Sequence, residues 1–395
     1  MRRRSLLGVV VASVGGAIAW ACGARSEPSP PAPPAITFPA SAPPTPTPTP
    51  TLTASPSSAA LKDAQGRFVL LETHSHVQVQ SAGGGSDFDG AIAKIGPELD
   101  QNAGRLAILM PQPFPTGTLD LSSVERGIYD RAKGSRYVPL GGGGSLNAII
   151  QQNAKNATVS ADVMKGFEAL AEKHLASGAV GFGEIAVLHL SFSPQHPFEE
   201  VAADHPLWLL LAEIAARRDV PIDVHMDAMV DDGPTPPRNR QVSPLNPPTL
   251  KANVPGFERL LDHDRRARIV WAHTGSDRTG QVTIALYDRL MAAHPNLHLQ
   301  LIHNVNDPPQ FAQDPNNLVD ARGQIRQAYV DLIRKYPDRI VVGGDSFFAA
   351  PGAGSAIPGA GPNVSGLRAV VDKLPADVAS KVAIENALRI YKIKL

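Results

Sequence analysis

Six residues of metal-ligating type close short apolar runs, in an order along the chain that a divalent-ion site needs. His74 and His76 close the run 68–76 (FVLLETHSH), Glu184 closes 179–184 (AVGFGE), His225 closes 220–225 (VPIDVH), His273 closes 269–273 (IVWAH) and Asp345 closes 340–345 (IVVGGD). Side chains alternate along an extended segment, so His74 and His76 point the same way, and as neutral imidazoles they can share one ion. Asp345 follows Gly343 and Gly344, where missing side chains let the chain approach a ligand closely. His225 and His273 each end an apolar run that gives no other reason for a polar tip. A divalent ion held by such groups lowers the pKa of water toward neutrality and polarises a carbonyl or phosphoryl oxygen, with no protein nucleophile required. Imidazole with carboxylate suits zinc, as one ion or two, with manganese, iron or cobalt feasible.

Groups so far apart in sequence meet only if a repeating architecture delivers them to one place. Strand signals fall at 68–73, 106–110, 137–140, 179–183, 221–224, 269–272, 297–302 and 340–342. Helical patterns lie between them: one after Ser160 that Gly178 can end, one opened by Pro206, two more at 281–293 and 321–335, and a last one from about Pro375. Strict alternation argues for a parallel sheet with helical crossovers. Ligands on both the first and the last strand favour closure, hence an α/β fold of the (β/α)8 TIM-barrel type whose site lies at the strands' C-terminal mouth.

At this point the segments resemble the amidohydrolase superfamily of metal-dependent hydrolases. The shared features are His-x-His after strand one, His after strands five and six, Asp after strand eight, and a closing Asn-Ala-x-x-x-Tyr helix, here Asn386 to Tyr391. The resemblance covers residues 68–395. It implies that His74, His76 and Asp345 hold a first ion, that His225 holds it or a second one, and that Asp345 is the catalytic base that takes a proton from water. Glu184 sits where two-metal members carry a bridging group, and its Gly-Glu-Ile setting resembles the TatD-type deoxyribonucleases. The segments around His273 and Asp345 look more like the single-metal branch that includes aminocarboxymuconate-semialdehyde decarboxylase, where strand four gives no ligand. Glu184 as a bridge is the reading preferred here, because a buried, unpaired carboxylate is costly.

A small-molecule substrate fits such a mouth. Arg238 and Arg240, in the proline-rich stretch 227–255 after strand five, could fork onto a carboxylate or phosphate, or simply be solvated loop charges. His303, with Asn304, closes strand seven and either lines the pocket or lies off it, while His189 and His196 follow Glu184 within reach of the mouth and read as ordinary loop residues or as substrate contacts. Three functions remain open: hydrolysis of an ester, lactone, amide or phosphoester, decarboxylation of a small unsaturated carboxylate at a single ion, and ligand capture without turnover. Lys plus Arg equals Asp plus Glu at 37 each, so no global field draws in nucleic acid.

The first sixty residues read differently from the rest. Arg2, Arg3 and Arg4 precede an apolar stretch at 6–21, followed by Cys22, the one cysteine in the chain. This resembles a bacterial lipoprotein signal, with Arg3 and Arg4 also resembling a twin-arginine export motif. Residues 1–22 are thus expected to be a signal peptide, with Cys22 lipidated and the protein anchored in the cell envelope membrane. Residues 23–60, rich in Pro, Ala, Ser and Thr, cannot bury a core and read as a disordered tether, leaving 61–395 as the barrel.

Overall fold

The computed structural model describes residues 61–80, 86–307, 309–353, 357 and 359–395. The expectations for the leader, for Cys22 and for the tether lie outside them, as do residues 81–85 of the glycine-rich stretch after the first strand.

Strands β1 (Leu70–Gln78), β2 (Gly104–Met110), β3 (Tyr137–Pro139), β4 (Phe182–His189), β5 (Pro221–Met226), β6 (Arg268–Thr274), β7 (Leu297–Leu301), β8 (Ile340–Val342) and β9 (Ser346–Ala349) alternate with helices. Two parallel runs of pairing, β9-β1-β2-β3 and β8-β7-β6-β5-β4, share chain at both joints. From β3 the chain passes through Leu140 into Gly141 and Gly142, which pair with β4. From β8 it passes through Gly343 to Asp345 into β9, which pairs with β1. The order is that of an α/β fold consistent with a (β/α)8 barrel.

Side-chain alternation divides the core in two. Leu70, Leu109, Ile269, Trp271, Ile340 and Val342 face the helices. Leu71, Ile108, Met110, Leu140, Val270 and Val341 form an inner cluster with Ile384, Ala387, Ile390 and Tyr391 of the terminal helical segment. Both faces are therefore buried, and β1 and β4 are covered along almost their whole length. This is why strands run past their expected ends at the mouth: β1 continues to Gln78, β4 to His189, β5 to Met226 and β6 to Thr274. With polar residues buried at the mouth, the end of an apolar run does not mark the end of a strand.

Helix ends follow local chemistry. Ser160 Oγ accepts from Val163 N to start Ala161–Ala176, and Ser122 and Glu125 form a capping box on Ser123–Ala132. Ile284–Ala293 starts at Thr283, later than expected, because the Thr283 hydroxyl caps it. Gln327–Lys335 also starts late, since Asp320 accepts from Arg322 N and Gln324 N and holds a turn there. The proline-rich stretch after β5 is ordered: Gly233–Pro234 pairs with Thr249–Leu250 around the helix Pro237–Val242.

A built Cβ at Gly143 would lie 2.5 Å from Pro111 O and 2.8 Å from Glu184 O, and backbone atoms cannot swing away. Gly143→Ala is expected to lower stability by about 1–3 kcal/mol, read from the midpoint of urea unfolding; an unchanged midpoint would show that the joint between β3 and β4 yields.

Candidate metal centre

β1 carries His74 and His76, β4 Glu184, β5 His225 and β6 His273, while Asp345 lies in the link between β8 and β9. Their polar atoms converge. Nε2 of His74 and Nε2 of His76 are 3.0 Å apart. Glu184 Oε2 lies 3.3 Å from His76 Nε2 and 3.6 Å from His74 Nε2. Glu184 Oε1 lies 2.7 Å from His225 Nδ1 and 3.6 Å from His273 Nε2. Asp345 is divided in the same way: Oδ1 is 3.3 Å from His76 Nε2, and Oδ2 is 3.7 Å from His273 Nε2. Each carboxylate therefore turns one oxygen to His74 and His76 and the other toward His273, with His225 on the Glu184 side.

The backbone is bent to achieve this. His273 and Asp345 have φ of +58° and +47°, a left-handed conformation that costs a non-glycine residue about 1–3 kcal/mol. Glu72, buried in β1, stabilises the second of these: it accepts from Gly344 N at 2.7 Å, His74 N at 2.9 Å and Ser346 Oγ at 3.1 Å. Burial pushes the Glu72 carboxyl up to about 7 against those hydrogen bonds. Gly344 leaves room for it, since a built Cβ would stand 2.3 Å from Glu72 Oε2.

The charges are mutually dependent. Burial opposes ionisation of Glu184, but His74, His225 and His273 hold it well below the usual carboxylate range. Asp345 is likewise held down against burial, chiefly by His273 and His76. Burial would lower His74, yet Asp223 and Glu184 raise it well above its ordinary value, and His225 is raised to about 10 by Glu184 and Asp227 against burial. His273 is pushed down to about 3 by burial.

These residues fit a divalent cation. His76 Nδ1 sits 3.2 Å from Met110 O and can reach it only as an N–H donor, so in the neutral imidazole Nε2 is a lone pair. His74 Nδ1 faces Asp223 Oδ1 at 3.3 Å, which leaves its Nε2 in the same condition. Two such lone pairs 3.0 Å apart beside two carboxylates repel unless a positive charge, a proton on one of them or a metal ion, sits among them. The ion-pair contacts of the six groups include no Lys or Arg among the described residues. His74 with His76 and Asp345, and His74 with Glu184 and His273, each present atoms close enough to share an ion.

The centre opens into a cavity of about 780 Å³ lined by His76, Glu184, His225, His273, Asp345 and the aromatic rings of Phe192, Phe311 and Phe347, among others. His189 and His196 line it, and so does Asn304. Arg238 does not. Its guanidinium pairs with Asp314 at 2.6 Å and donates to Asp277 O at 2.8 Å, so it braces the turn after β6. Arg240 is exposed and off the cavity wall. His303 lines a separate small cavity with Asn304 and Asn317. The guanidinium in the main wall is that of Arg278, which lies 4.4 Å over the Phe311 ring and 2.7 Å from Asp307. Sequence gave no signal for Arg278, because its place depends on partners from distant loops. Asp223 was legible: two residues before His225 in a strand, it faces the same side.

The amidohydrolase family model matches residues 154–393 of the chain. The chain belongs to the amidohydrolase family. No curated protein matches it. Among solved structures, this amidohydrolase is similar to a TatD homologue from Escherichia coli K12, at 13% identity over 82% of this chain and 98% of that one, with a TM-score of 0.46. It is also similar to 2,6-dihydroxybenzoate decarboxylase from Rhizobium, at 14% identity over 82% and 98% of the two chains and a TM-score of 0.42. Dihydroorotase from Campylobacter jejuni matches at 14% identity over 82% of this chain and 84% of that one, with a TM-score of 0.41. Family membership makes the protein an enzyme of metal-dependent fold, in agreement with the ligand-type cluster at its mouth.

His74 is central to both ligand groups, so His74→Ala in this amidohydrolase is expected to abolish tight binding of a divalent ion in titration calorimetry while the far-ultraviolet circular dichroism is kept. Undiminished affinity would place the ion elsewhere.

Proposed function

We propose that the protein is a metal-dependent hydrolase acting on an ester, lactone, amide or phosphoester of a small molecule, with two divalent ions, zinc by preference, held by His74, His76, Glu184, His225, His273 and Asp345. The observation that carries this reading is the two-sided placement of Glu184 and Asp345, each of which spans both groups of histidines. A bound divalent ion would supply water acidified toward neutral pH and a polarised oxygen on the scissile group.

The chain's own groups do the rest. Asp345, kept ionised and partly open to the cavity, accepts the proton of the attacking water at a carboxylate oxygen. The water oxygen bonds to the carbonyl carbon or phosphorus, the bond to the leaving oxygen or nitrogen breaks, and the proton passes from Asp345 to that leaving atom. His196 is held neutral, its pKa pushed down to about 3 by burial. Phe192 N donates to its Nδ1 at 3.3 Å, so Nε2 carries the hydrogen and can donate to substrate from the cavity wall. Phe192, Phe311 and Phe347 offer apolar surface to the body of a small molecule.

A second reading, decarboxylation of a small unsaturated carboxylate at one ion, is favoured by Arg278. It is the one Lys or Arg among the described lining residues, and its Nη1 is buried without a hydrogen-bond partner. Turnover in ¹⁸O-labelled water separates the two: hydrolysis places label in the organic product, whereas carbon dioxide release with no label in the organic product would overturn it. Asp345→Asn is expected to lower kcat by about 10²–10⁴-fold; a variant as fast as wild type would remove Asp345 as the base.

Export and lipid anchoring are inferred from the sequence alone, with 1–22 as signal, 23–60 as tether and 61–395 as catalytic barrel. Arg2 to Arg4, the apolar stretch and Cys22 support this reading. Cys22→Ala is expected to move the protein from the membrane to the soluble fraction of a bacterial lysate, and an unaltered distribution would count against the anchor.

A further inference from the structure

The barrel interior beneath the metal centre is polar where the surrounding layer is apolar. Inward positions on the other strands carry residues such as Leu71, Ile108, Val270 and Val341. β5 and β7 instead place Asp223 and Gln300 there, both fully buried. A buried carboxylate is costly unless its oxygens are answered, and here they are answered from three directions. Asp223 Oδ1 lies 3.3 Å from His74 Nδ1, and neither atom has a hydrogen-bond partner elsewhere. Gln300 Nε2 donates to Asp223 Oδ2 at 3.0 Å. The hydroxyl of Tyr391 donates to the same oxygen at 3.4 Å.

Two glycines keep space for this group. A built Cβ at Gly183 would stand 2.6 Å from Asp223 Cβ, and one at Gly343 would stand 2.5 Å from Gln300 Cδ. Tyr391 follows Asn386–Ile390 and packs in the inner cluster. Asn386 Nδ2 donates to Pro337 O and Ile340 O, both at 2.8 Å, and fastens that helix beside β8. The Asn-Ala-x-x-x-Tyr motif thus supplies one residue that fixes the helix and one whose hydroxyl reaches the carboxylate behind His74.

We propose that Asp223, itself held by Gln300 and by Tyr391 of the C-terminal helix, is a positioning residue that fixes His74 with Nδ1 toward the barrel floor and Nε2 bare toward the ion. This rests on His74 being a ligand, as read above. The other two backed histidines have separate supports, His76 on Met110 O and His225 on Asp227. Loss of Asp223 should therefore act through His74 alone. A carboxylate behind a ligating imidazole sets metal affinity by about 10–100-fold.

The test uses full-length protein. Zinc affinity is measured by competition with a chromophoric chelator, and the cobalt-substituted protein reports ligand geometry through its visible spectrum. Asp223→Asn is expected to weaken zinc binding by about 10–100-fold and to shift the cobalt spectrum; Tyr391→Phe should weaken it in the same direction by a smaller factor. Phe167→Leu, in the outer core, should lower the melting temperature without changing either metal readout. If Asp223→Asn does not fold, Tyr391→Phe decides alone. Affinities and spectra like those of wild type in every variant that folds would overturn the positioning role. A wild-type protein that binds neither zinc nor cobalt would overturn the metal centre itself, and this inference with it.

Discussion

Four imidazoles and two carboxylates are gathered at the mouth of one barrel with no Lys or Arg among the described residues in ion-pair contact with them, and much of the structure follows from that. Glu184 and Asp345 are ionised because histidines surround them, and His74 is raised because carboxylates face it. Such a group is self-consistent only with protons or metal ions shared among its members. The strained backbone at His273 and Asp345 is a cost accepted to aim those two side chains into the group.

The same demand reaches below the mouth. Glu72 ties β1 to the link between β8 and β9, so the residue that closes the ring also orients Asp345. Asp223 and Gln300 form a polar floor, and Gly183, Gly343 and Gly344 leave the volume these side chains need. The glycines before Asp345 thus leave room for buried supports of the site. Around this polar column the remaining inward positions and the terminal helix are apolar, so water is kept from the supports while the cavity stays open above.

How much was legible in the sequence varied with the range of the interaction. Alternating strands and helices, and the six ligand-type residues, could be read because each is marked locally, by an apolar run that ends in His, Glu or Asp. Strand ends at the mouth, most of all in β1 and β4, run past the expected ones, because burial on both faces removes the polar boundary. Arg238 and Arg278 show the harder limit. Both are arginines in loops at the mouth, and only the contacts of Arg238 with Asp314 and Asp277, distant in sequence, make it a brace and leave Arg278 in the wall. The supports Glu72 and Asp227 look like ordinary acidic residues until the fold places one on the backbone of Gly344 and the other beside His225.

The central proposal is that two divalent ions would be held among His74, His76, Glu184, His225, His273 and Asp345, with Glu184 shared between them. A crystal structure of the zinc-loaded protein with data collected at the zinc absorption edge tests it directly. The account predicts two anomalous peaks, one bounded by His74 and His76 and the other by His225 and His273, with Glu184 between them. A single peak on His74, His76 and Asp345, with Glu184 bonded only to protein, would contradict it.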